Sequence, residues 1–597
     1  MPYLITISVI LITLLVLSLP YIKSNLSDID PEALQNQASI SPTRKPNESA
    51  IYRSVDVPHG VALNTGLRIR HGGYKVRDGC LKDVWLGCLQ TVLANRKSLK
   101  SEKNQKELKK LKANQKNRKT NPGIMKVDDG SRAETERLKA LEFETKASGT
   151  KFRIGDSSFT VLQLNWIMKQ LSQVLSKSES EDKNEKFGLF TDFSDLNSLI
   201  VLLTFFFWYD GSIVNLTHLP KPDSDLKIGT IFVDFNQYLK VSNAKLNGVK
   251  RIVVFEAPVE ETPEKVDDES DEEETKPEEP EPITLAKIEG VEIVWFSDFF
   301  KYDKVKELES FDYDQSLTDD SQFNNQPYSE INSKGEEIRF FQRNFVSSIA
   351  SQLMSINSNF SWNQGDKVLI GVSNTKQSKN NLVSKTLCGV LACVREIELI
   401  DESELTLKKL VANGGLYASV ISFGDKSLKH LLFTTKRASI SRILINRAAS
   451  FNSTGIFTSF AQLAPFNLKL IYSTDSGEIS SRQYNILRTI LGSRVIKEKL
   501  SDASMGAILK TNVYDYRVLN KEKFDGFKVR LLGVASDSIE LKLKKKSEDD
   551  ATGELYGRGF NLGKVTAADS VDDEYWMKLD VHGKFGNDGC FYQYIYE

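Results

Sequence analysis

The sequence predicts an α/β protein of layered sheets with flanking helices, preceded by one N-terminal transmembrane helix. Two observations predict this architecture. From about residue 151 onward, short apolar segments rich in β-branched residues alternate with segments of helical spacing, which is the pattern of parallel strands joined by helices. The second observation is an uncharged N-terminal run that is long enough to cross a bilayer.

Composition excludes several classes of protein. The chain has 597 residues, enough for two or more domains, and a formal net charge of −1, which gives no electrostatic reason to expect a nucleic-acid partner. The five histidines are far apart and show no zinc spacing, so no metal site is predicted. The five cysteines are predicted to be reduced thiols in a protein that faces the cytosol, and they are Cys80, Cys88, Cys388, Cys393 and Cys590.

The N-terminus predicts a membrane anchor at residues 1–23. Met1 to Ile22 carry no charge, and Lys23 is the first charged residue. A cleavable signal peptide is the alternative, but it usually has a basic leader, a shorter apolar core and a clear cleavage site. Because basic residues lie only on the C-terminal side, we expect the bulk of the chain in the cytosol, on an intracellular membrane such as the endoplasmic reticulum. The opposing signal is a set of glycosylation sequons at Asn25, Asn47, Asn215, Asn359 and Asn452.

Two segments separate this anchor from the body. Residues 24–55 are rich in Ser, Asn and Pro and are predicted to form a flexible stalk. Residues 56–150 form an N-terminal extension, whose segment 96–119 holds eleven Lys or Arg against two Glu. This basic arm is expected to be a solvated helix or a disordered loop; the alternative is an arm that lies on anionic lipid headgroups.

The body is predicted over residues 151–597. Helices are expected at 159–174, 196–209 (a buried one), 341–353 and 484–491, and strands at 228–233, 251–256, 291–296, 367–372, 417–423 and 468–473. Residues 260–281 carry thirteen acids among prolines and are predicted to be a disordered surface loop. Aromatic residues 205–208 are expected to lie between two stacked sheets, near an apolar pocket.

The end of the chain carries the most specific motifs. They are Gly553-Glu-Leu-Tyr-Gly-Arg-Gly, Trp576-Met-Lys-Leu-Asp-Val and Gly583-Lys-Phe-Gly-Asn-Asp-Gly589. This series resembles the close of the large domain in adenylate-forming (AMP-binding) enzymes, such as long-chain acyl-CoA synthetases, where Gly-Glu-(Ile/Leu)-x-x-Arg-Gly precedes Trp-x-x-Thr-Gly-Asp. In that family a small, mobile C-terminal domain follows and brings in a catalytic lysine. Since this sequence ends eight residues after Gly589, we expect that domain to be lacking.

The resemblance implies three sites for ATP and Mg²⁺, and each is degraded here. The family's phosphate loop resembles Tyr-Thr-Ser-Gly-Thr-Thr-Gly-x-Pro-Lys-Gly. The matching segment runs from Tyr328 to Phe340, with Ser333, Lys334 and Gly335 as the candidate phosphate-binding residues. Acids in the same segment, Glu330, Glu336 and Glu337, are expected to repel a triphosphate.

The magnesium and ribose motifs also depart from the family's pattern. The stretch that precedes the family's Tyr-Gly-x-Thr-Glu motif resembles Thr474-Asp-Ser-Gly-Glu-Ile-Ser480 here. The metal-binding acid then falls on Asp502 with a one-residue slip, or on Ala503 without one. An ungapped match of the Trp576 motif places the ribose-binding acid on Val581, with Asp580 one position early, which in a strand turns the side chain to the other face.

These departures predict a non-catalytic acyl-CoA synthetase-like protein, with no catalytic residue and no cofactor. The fold would be kept to bind an acyl lipid, an acyl-CoA or a protein partner. One alternative is a divergent long-chain fatty acid–CoA ligase, which would need ATP and Mg²⁺. The other is a scaffold at the endoplasmic reticulum that uses the basic and acidic segments for docking.

Overall fold

A computed structural model describes most of the chain outside its N-terminus and several loops. The described residues are 28–29, 31–42, 45–71, 75–100, 110, 151–154, 157–178, 186–193, 195–216, 227–242, 248–255, 288, 290–299, 301–313, 325–331, 336–373, 375–403, 405–412, 415–435, 439–457, 461–464, 466–519, 528–547, 550–565 and 574–595. Within these ranges, no helix combines the length and the apolarity that a bilayer span requires. The predicted anchor at residues 1–23, most of the basic arm and the acidic loop 260–281 lie outside them.

The strands form two large sheets and one small hairpin. Their bounds are β1 Ala38–Ser41, β2 Ile51–Ser54, β3 Ile69–His71, β4 Lys75–Arg77, β5 Lys151–Ile154, β6 Ser157–Thr160, β7 Lys186–Phe190, β8 Ile213–Asn215, β9 Ile228–Val233, β10 Arg251–Val254, β11 Glu292–Trp295, β12 Tyr328–Ile331, β13 Glu337–Phe340, β14 Lys367–Val372, β15 Glu396–Asp401, β16 Val420–Gly424, β17 Leu470–Thr474, β18 Arg494–Lys499, β19 Leu509–Lys510, β20 Lys528–Ala535, β21 Ile539–Lys544, β22 Gly553–Gly559, β23 Lys564–Val565, β24 Met577–Phe585 and β25 Phe591–Ile595.

Each large sheet contains a parallel part and an antiparallel part. In the described residues the larger sheet has the order β1-β2-β21-β22-β24-β25-β20-β19-β18-β17-β16-β14-β15-β5-β6. Its strands β18, β17, β16, β14, β15 and β5 run parallel, and the rest pair antiparallel. The second sheet has the order β11-β10-β9-β7-β8-β12-β13-β23, and it is parallel from β11 to β12.

The α-helices are α1 Leu81–Lys100, α2 Val161–Ser178, α3 Leu196–Phe207, α4 Phe235–Ser242, α5 Gln342–Met354, α6 Lys376–Leu391, α7 Leu407–Ala412, α8 Asp425–Thr434, α9 Ser439–Ser453 and α10 Ser481–Leu491. Helix α3 is buried along its whole length. Local chemistry sets several of the helix starts. At α10, for example, the Ser480 and Gln483 side chains cap each other's backbone N–H groups.

Helices cover both faces of the parallel strands, so the body has five layers. On β9, Ile231 and Val233 pack in an outer cluster with Tyr238 of α4, while Phe232 faces the central layer. On β14, Leu369 packs in the cluster that contains α8, α9 and α10 residues, while its neighbours face the central helices. Both faces of these strands are therefore buried, which explains their continuous apolar sequences.

The predicted α/β class with large layered sheets is confirmed, and the elements predicted over residues 151–597 are present with shifted ends. The helix predicted at 159–174 is α2, which starts at Val161 because Ser157–Thr160 pair as β6 against β5. The strand predicted at 417–423 is β16, and it begins later because residues Gly415–Tyr417 form a 3₁₀ turn. Sequence periodicity could not separate these short turns from the adjoining elements.

The structure differs from the predicted stalk at residues 24–55. Strands β1 and β2 lie in this segment, pair with each other, and join the large sheet through Tyr52 opposite Leu541 of β21. The Asp28 carboxylate accepts hydrogen bonds from the Arg494 guanidinium at 2.9 to 3.1 Å. Strand pairing uses backbone groups that every residue carries, so a polar composition does not preclude it.

Helix α1, in the predicted N-terminal extension, packs against the body. Trp85 of α1 is fully buried, donates a hydrogen bond to Asn165 at 2.9 Å and stacks on Phe207. Within the basic segment, Arg96 lies in this helix and forms an ion pair with Glu307 at 2.8 Å.

Candidate functional site

A large cavity lies at the carboxyl ends of the parallel strands of the large sheet. It has a volume of about 980 Å³, and its walls include the residues at or just after the ends of β14, β15, β16 and β17. Ligands of open α/β sheets bind at this edge, because the loops there diverge and helix N-termini face the opening. Its apolar lining residues are Ile154, Phe193, Val372, Leu399 and Ile400.

The N-terminus of α8 faces this cavity, and Glu402 caps it. The carboxylate of Glu402 accepts hydrogen bonds from the Gly424 backbone N–H at 2.6 Å and from the Ser427 hydroxyl at 3.0 Å. Burial raises the pKa of the Glu402 carboxyl. Backbone N–H groups at a helix N-terminus can donate hydrogen bonds to a ligand anion. Here the Gly424 N–H is already bonded to the protein's own Glu402 carboxylate.

A second carboxylate, that of Asp425, fills a ring of backbone donors beside the cavity. It accepts hydrogen bonds from the backbone N–H groups of Ser476, Gly477 and Glu478 at 3.0, 2.8 and 2.9 Å, and from the Ser476 hydroxyl. Asp425 is fully buried. Successive backbone amides that converge in this way form an anion-binding nest, and here the anion belongs to the protein.

Among the described residues, the charge of the cavity lining is predominantly negative. Its basic side chains are Lys426 and His430, and its acidic side chains are Asp192, Asp401, Glu402, Asp425 and Asp502. Like charges in a partly closed cavity repel an incoming anion, and this repulsion grows as water is excluded. The wall therefore favours a neutral or cationic ligand group over a phosphate or a fatty-acid carboxylate.

The predicted phosphate-binding residues Ser333, Lys334 and Gly335 lie outside the described residues, between β12 and β13. Two of the acids on the flanking strands have partners within the protein. Glu330 is buried and accepts a hydrogen bond from the Tyr328 hydroxyl at 2.6 Å. Glu337 forms ion pairs with Lys186 and Arg339, and these partners lower the pKa of its carboxyl.

The structure brings Asp502 and Asp580 together, although 78 residues separate them in the numbering. Both line a small cavity of about 180 Å³, together with Glu336 and Lys499. Asp502 also lines the large cavity, as does Gln377. The candidate metal and ribose positions thus line one cavity, which sequence spacing alone does not reveal.

The backbone at Asp580 supports the ungapped match of the ribose motif. Asp580 has a φ of 50°, in the left-handed region that glycine prefers, at a register shift between β22 and β24. This is the position where the family motif has glycine. The next position, where the family has the ribose-binding acid, is Val581, whose side chain is buried in an apolar cluster. In the ungapped match, an apolar side chain therefore stands where the family motif has a carboxylate.

Glu402, Asp425 and Asp234 were not predicted from the sequence as candidate site residues. Asp234 directly follows β9 and accepts hydrogen bonds from the Thr191 hydroxyl at 2.5 Å and the Asp192 N–H at 2.8 Å. Burial, followed by the nearby charge of Asp195, raises the pKa of the Asp234 carboxyl to about 8. All three are acids that directly follow a buried parallel strand, and this position is the sequence feature that could have predicted them.

The expected apolar pocket at residues 205–208 is not an open space. Phe205, Phe206 and Phe207 are each at most 1% exposed. Their rings contact those of Phe187, Tyr328, Phe345 and Trp85, among others. Side chains therefore fill this part of the central layer, and the large cavity lies instead at the edge of the sheet.

Comparisons with known proteins find one relative by sequence and several solved structures with a similar fold. No family model matches the chain. A putative uncharacterized protein of Saccharomyces cerevisiae is 24% identical over 639 residues, which cover 98% of each protein.

Similar solved structures include a luciferase-like enzyme of the mealworm Zophobas morio, at a TM-score of 0.48 and 13% identity over 76% of this chain and 94% of that one. They also include the N-terminal domain of FACL13 from Mycobacterium tuberculosis (TM-score 0.49, 11% identity, 76% and 98% covered). A third is O-succinylbenzoate coenzyme A synthetase of Bacillus subtilis (TM-score 0.46, 13% identity, 76% and 78% covered). At these identities and TM-scores the likeness assigns no activity to this chain.

Proposed function

We propose that this protein is a non-catalytic relative of adenylate-forming enzymes that binds an acyl lipid with an uncharged or cationic head. The observation that carries the proposal is the Asp425 carboxylate, which occupies three backbone amides at the edge of the large cavity. A ligand phosphate would have to displace this buried carboxylate or lie beside it. Either costs on the order of a kcal/mol or more at moderate dielectric.

The degraded motifs support the loss of ATP chemistry. Activation of a carboxylate by ATP needs a carboxylate for Mg²⁺, an acceptor for the ribose hydroxyls and a cation at the phosphorus. Val581 replaces the ribose acceptor, and Ala503 stands at the metal position in the ungapped match. Both side chains are buried.

The walls of the large cavity support the ligand class. The apolar side chains among the lining residues suit a hydrocarbon chain, whose transfer from water is favourable in proportion to the area buried. The acidic side chains among the lining residues suit a hydroxyl, ester or amine head. A fatty-acid carboxylate would meet carboxylates there.

A ligand series tests this proposal. The full-length protein in nanodiscs is heated with a medium-chain monoacylglycerol, an alkylamine or a fatty acid of the same chain length, and separately with ATP and AMP. Because a ligand that binds only the native state raises the melting temperature, the first two should raise it and the last three should not. A rise with the fatty acid equal to that with the monoacylglycerol would contradict the ligand class.

Activity is tested directly. Incubation with ATP, Mg²⁺ and a long-chain fatty acid should release no pyrophosphate above a blank without protein. Pyrophosphate release that persists through repurification and disappears in a Lys334→Ala variant would establish the ligase alternative instead.

We further propose that residues 1–23 anchor the protein in the endoplasmic reticulum with the body in the cytosol. The uncharged N-terminal run and the basic residues after it support this topology. Two of the five sequons, at Asn215 and Asn452, are buried in the folded body and are poor acceptors there. Asn359 is exposed, so a glycosidase-sensitive glycan on Asn359 would place the body in the lumen and refute this topology.

A further inference from the structure

Helix α9 carries apolar side chains on both of its faces. On the inner face, Ile445 and Ala448 are buried in the cluster that α9 shares with α8 and α10. On the outer face, Ile443, Leu444 and Phe451 are 63%, 47% and 48% exposed. Phe451 follows the other two by eight and seven residues, the spacing that places side chains on one side of a helix. The outer face of a surface helix is normally polar, so this apolar outer face indicates an interaction surface.

The surroundings of this outer face are basic. Arg442 and Arg447 of α9 are exposed, and neither forms an ion pair among the described residues. The sequence from residue 426 to residue 474 contains seven Lys or Arg and no Asp or Glu, although the whole chain has 80 acidic residues against 79 basic ones. The segment that contains α9 is therefore complementary in charge to an anionic partner.

The end of α9 is tied to the residues that follow the proposed membrane anchor. The backbone N–H of Asp28 donates a hydrogen bond to the carbonyl of Gly455 at 3.2 Å, two residues beyond the end of α9. The Asp28 carboxylate itself is paired with Arg494. Asp28 is five residues beyond residue 23, so the chain between them spans at most about 18 Å. With residues 1–23 in a bilayer, the C-terminal end of α9 is therefore held close to the bilayer surface.

We propose that the outer face of α9 docks on the surface of an anionic lipid bilayer. Ile443, Leu444 and Phe451 would enter the headgroup region, where burial of apolar side chains is favourable, and Arg442 and Arg447 would bind the anionic headgroups. The closeness of α9 to the bilayer rests on the proposed anchor, whereas the apolar and basic character of the face does not depend on it.

Charge favours a lipid surface over a second copy of this chain. A symmetric contact between two copies of the face would bring the same arginines of both copies together, and like charges repel. The cytosolic leaflet of a membrane is negatively charged, which agrees with the proposed topology. With the anchor and α9 both in contact with the bilayer, the body would be held in one orientation.

The test uses the full-length protein in liposomes, with an environment-sensitive dye on a cysteine introduced by Ser450→Cys. The five native cysteines are buried, so the dye reacts with the introduced one. Ser450 is exposed on α9 and is not one of the proposed contact residues. The control is the dye at Ser176→Cys, another exposed serine, on α2. The liposomes contain phosphatidylcholine alone or phosphatidylcholine with phosphatidylserine, and a lipid spin-labelled near its headgroup serves as quencher.

We expect the dye at position 450 to emit at shorter wavelength and to be quenched in the liposomes that contain phosphatidylserine. Both effects should be much weaker in phosphatidylcholine alone, and added salt should reduce them because it screens the charges. The dye at position 176 should respond to neither lipid.

Variants separate the contributions of charge and of apolar contact. Arg442→Gln with Arg447→Gln should weaken docking about tenfold or more, because each basic residue near an anionic surface contributes about fivefold. Lys177→Gln with Lys306→Gln, at two exposed sites outside this segment, changes the net charge equally and should leave docking unchanged. Phe451→Ser should also weaken docking. Since all these side chains are exposed, the melting temperature should stay that of the wild type.

Flotation of the same liposomes distinguishes this proposal from the anchor. Protein that floats with phosphatidylcholine alone but shows no quenching at position 450 with phosphatidylserine would keep the anchor and overturn the docking of α9. Protein that floats only with phosphatidylserine, with quenching at position 450, would refute the anchor and support the docking. Quenching that the arginine variant leaves unchanged would overturn the proposal. So would a dye signal that appears without lipid and grows with protein concentration, because a second copy would then cover the face.

Discussion

The carboxylate of Asp425, at the start of α8, accepts a hydrogen bond from the backbone N–H of Gly477, just after β17, at 2.8 Å. The neighbouring amides of Ser476 and Glu478 donate to the same oxygen. This contact joins two loops at the carboxyl edge of the large sheet. It also places a protein carboxylate in a nest of amides that could otherwise hold a ligand anion.

Replacing Asp425 should therefore destabilise the fold and create an anion site. In Asp425→Ala, three backbone donors lose a charged acceptor, which we expect to cost about 2–4 kcal/mol. Sulfate should restore part of this loss by occupying the nest, as measured by urea unfolding with and without the salt. Asp401→Ala is the control, since its exposed carboxylate accepts one backbone N–H, that of Ser403. Equal sulfate effects on the two variants would contradict the interpretation.

Asp580→Gly should stabilise the protein by about 0.5–1 kcal/mol. The φ of 50° at this position is strained for a residue with a Cβ and unstrained for glycine. Asp580→Ala is the matched variant, and it should be less stable than Asp580→Gly because it keeps the Cβ. Urea denaturation of the three proteins measures the differences. A glycine variant less stable than the wild type would show that the Asp580 side chain contributes more than the strain costs.

The raised pKa of Asp234 predicts a pH dependence of stability. An unfolded aspartate has a pKa of about 3.9, whereas the folded value is about 8. Between about pH 4 and about pH 8, the Asp234 carboxyl is protonated in the folded state and ionised in the unfolded state. The stabilisation by the protonated carboxyl is therefore lost as the pH rises through this range.

Asp234→Asn should thus reduce the fall in unfolding free energy across this window. Absolute stability is a poor measure here, since the amide changes the hydrogen bonds to Thr191 and Asp192. The slope of stability against pH is the quantity to compare. Asp210→Asn, an exposed site that pairs with Lys82, is the control and should keep the wild-type slope. An unchanged slope in Asp234→Asn would refute the assignment.

Removal of the N-terminal strands should destabilise the body. A chain that begins at residue 56 lacks β1, β2 and the contact between Asp28 and Arg494, and it exposes the edge of β21. We expect a lower melting temperature and association through that edge, seen by size-exclusion chromatography. A chain that begins at residue 28 keeps all three features and should melt like the full-length protein. Equal melting of the two truncations would mean that the segment acts as the flexible stalk predicted from composition.

The sequence alone determined the class of the fold and the order of most elements of the body. Buried parallel strands have to be continuous apolar runs, and amphipathic helices have to repeat at three and four residues, so both leave a local pattern. The runs at 196–209, 228–233 and 367–372 have this property, and each forms the predicted element. The ungapped match at Trp576 puts Asp580 opposite the family's glycine, and Asp580 has a positive φ.

Only the tertiary structure decided which groups meet. Asp425 and Gly477 lie 52 residues apart, and nothing in either local sequence indicates that the carboxylate fills the amide nest. The polar segment 38–54 forms strands because an existing sheet edge offers backbone partners, which composition does not report. The location of the large cavity follows from the carboxyl ends of distant strands converging at one edge. Contacts of this kind depend on the packing of the whole chain, and local sequence encodes them only indirectly.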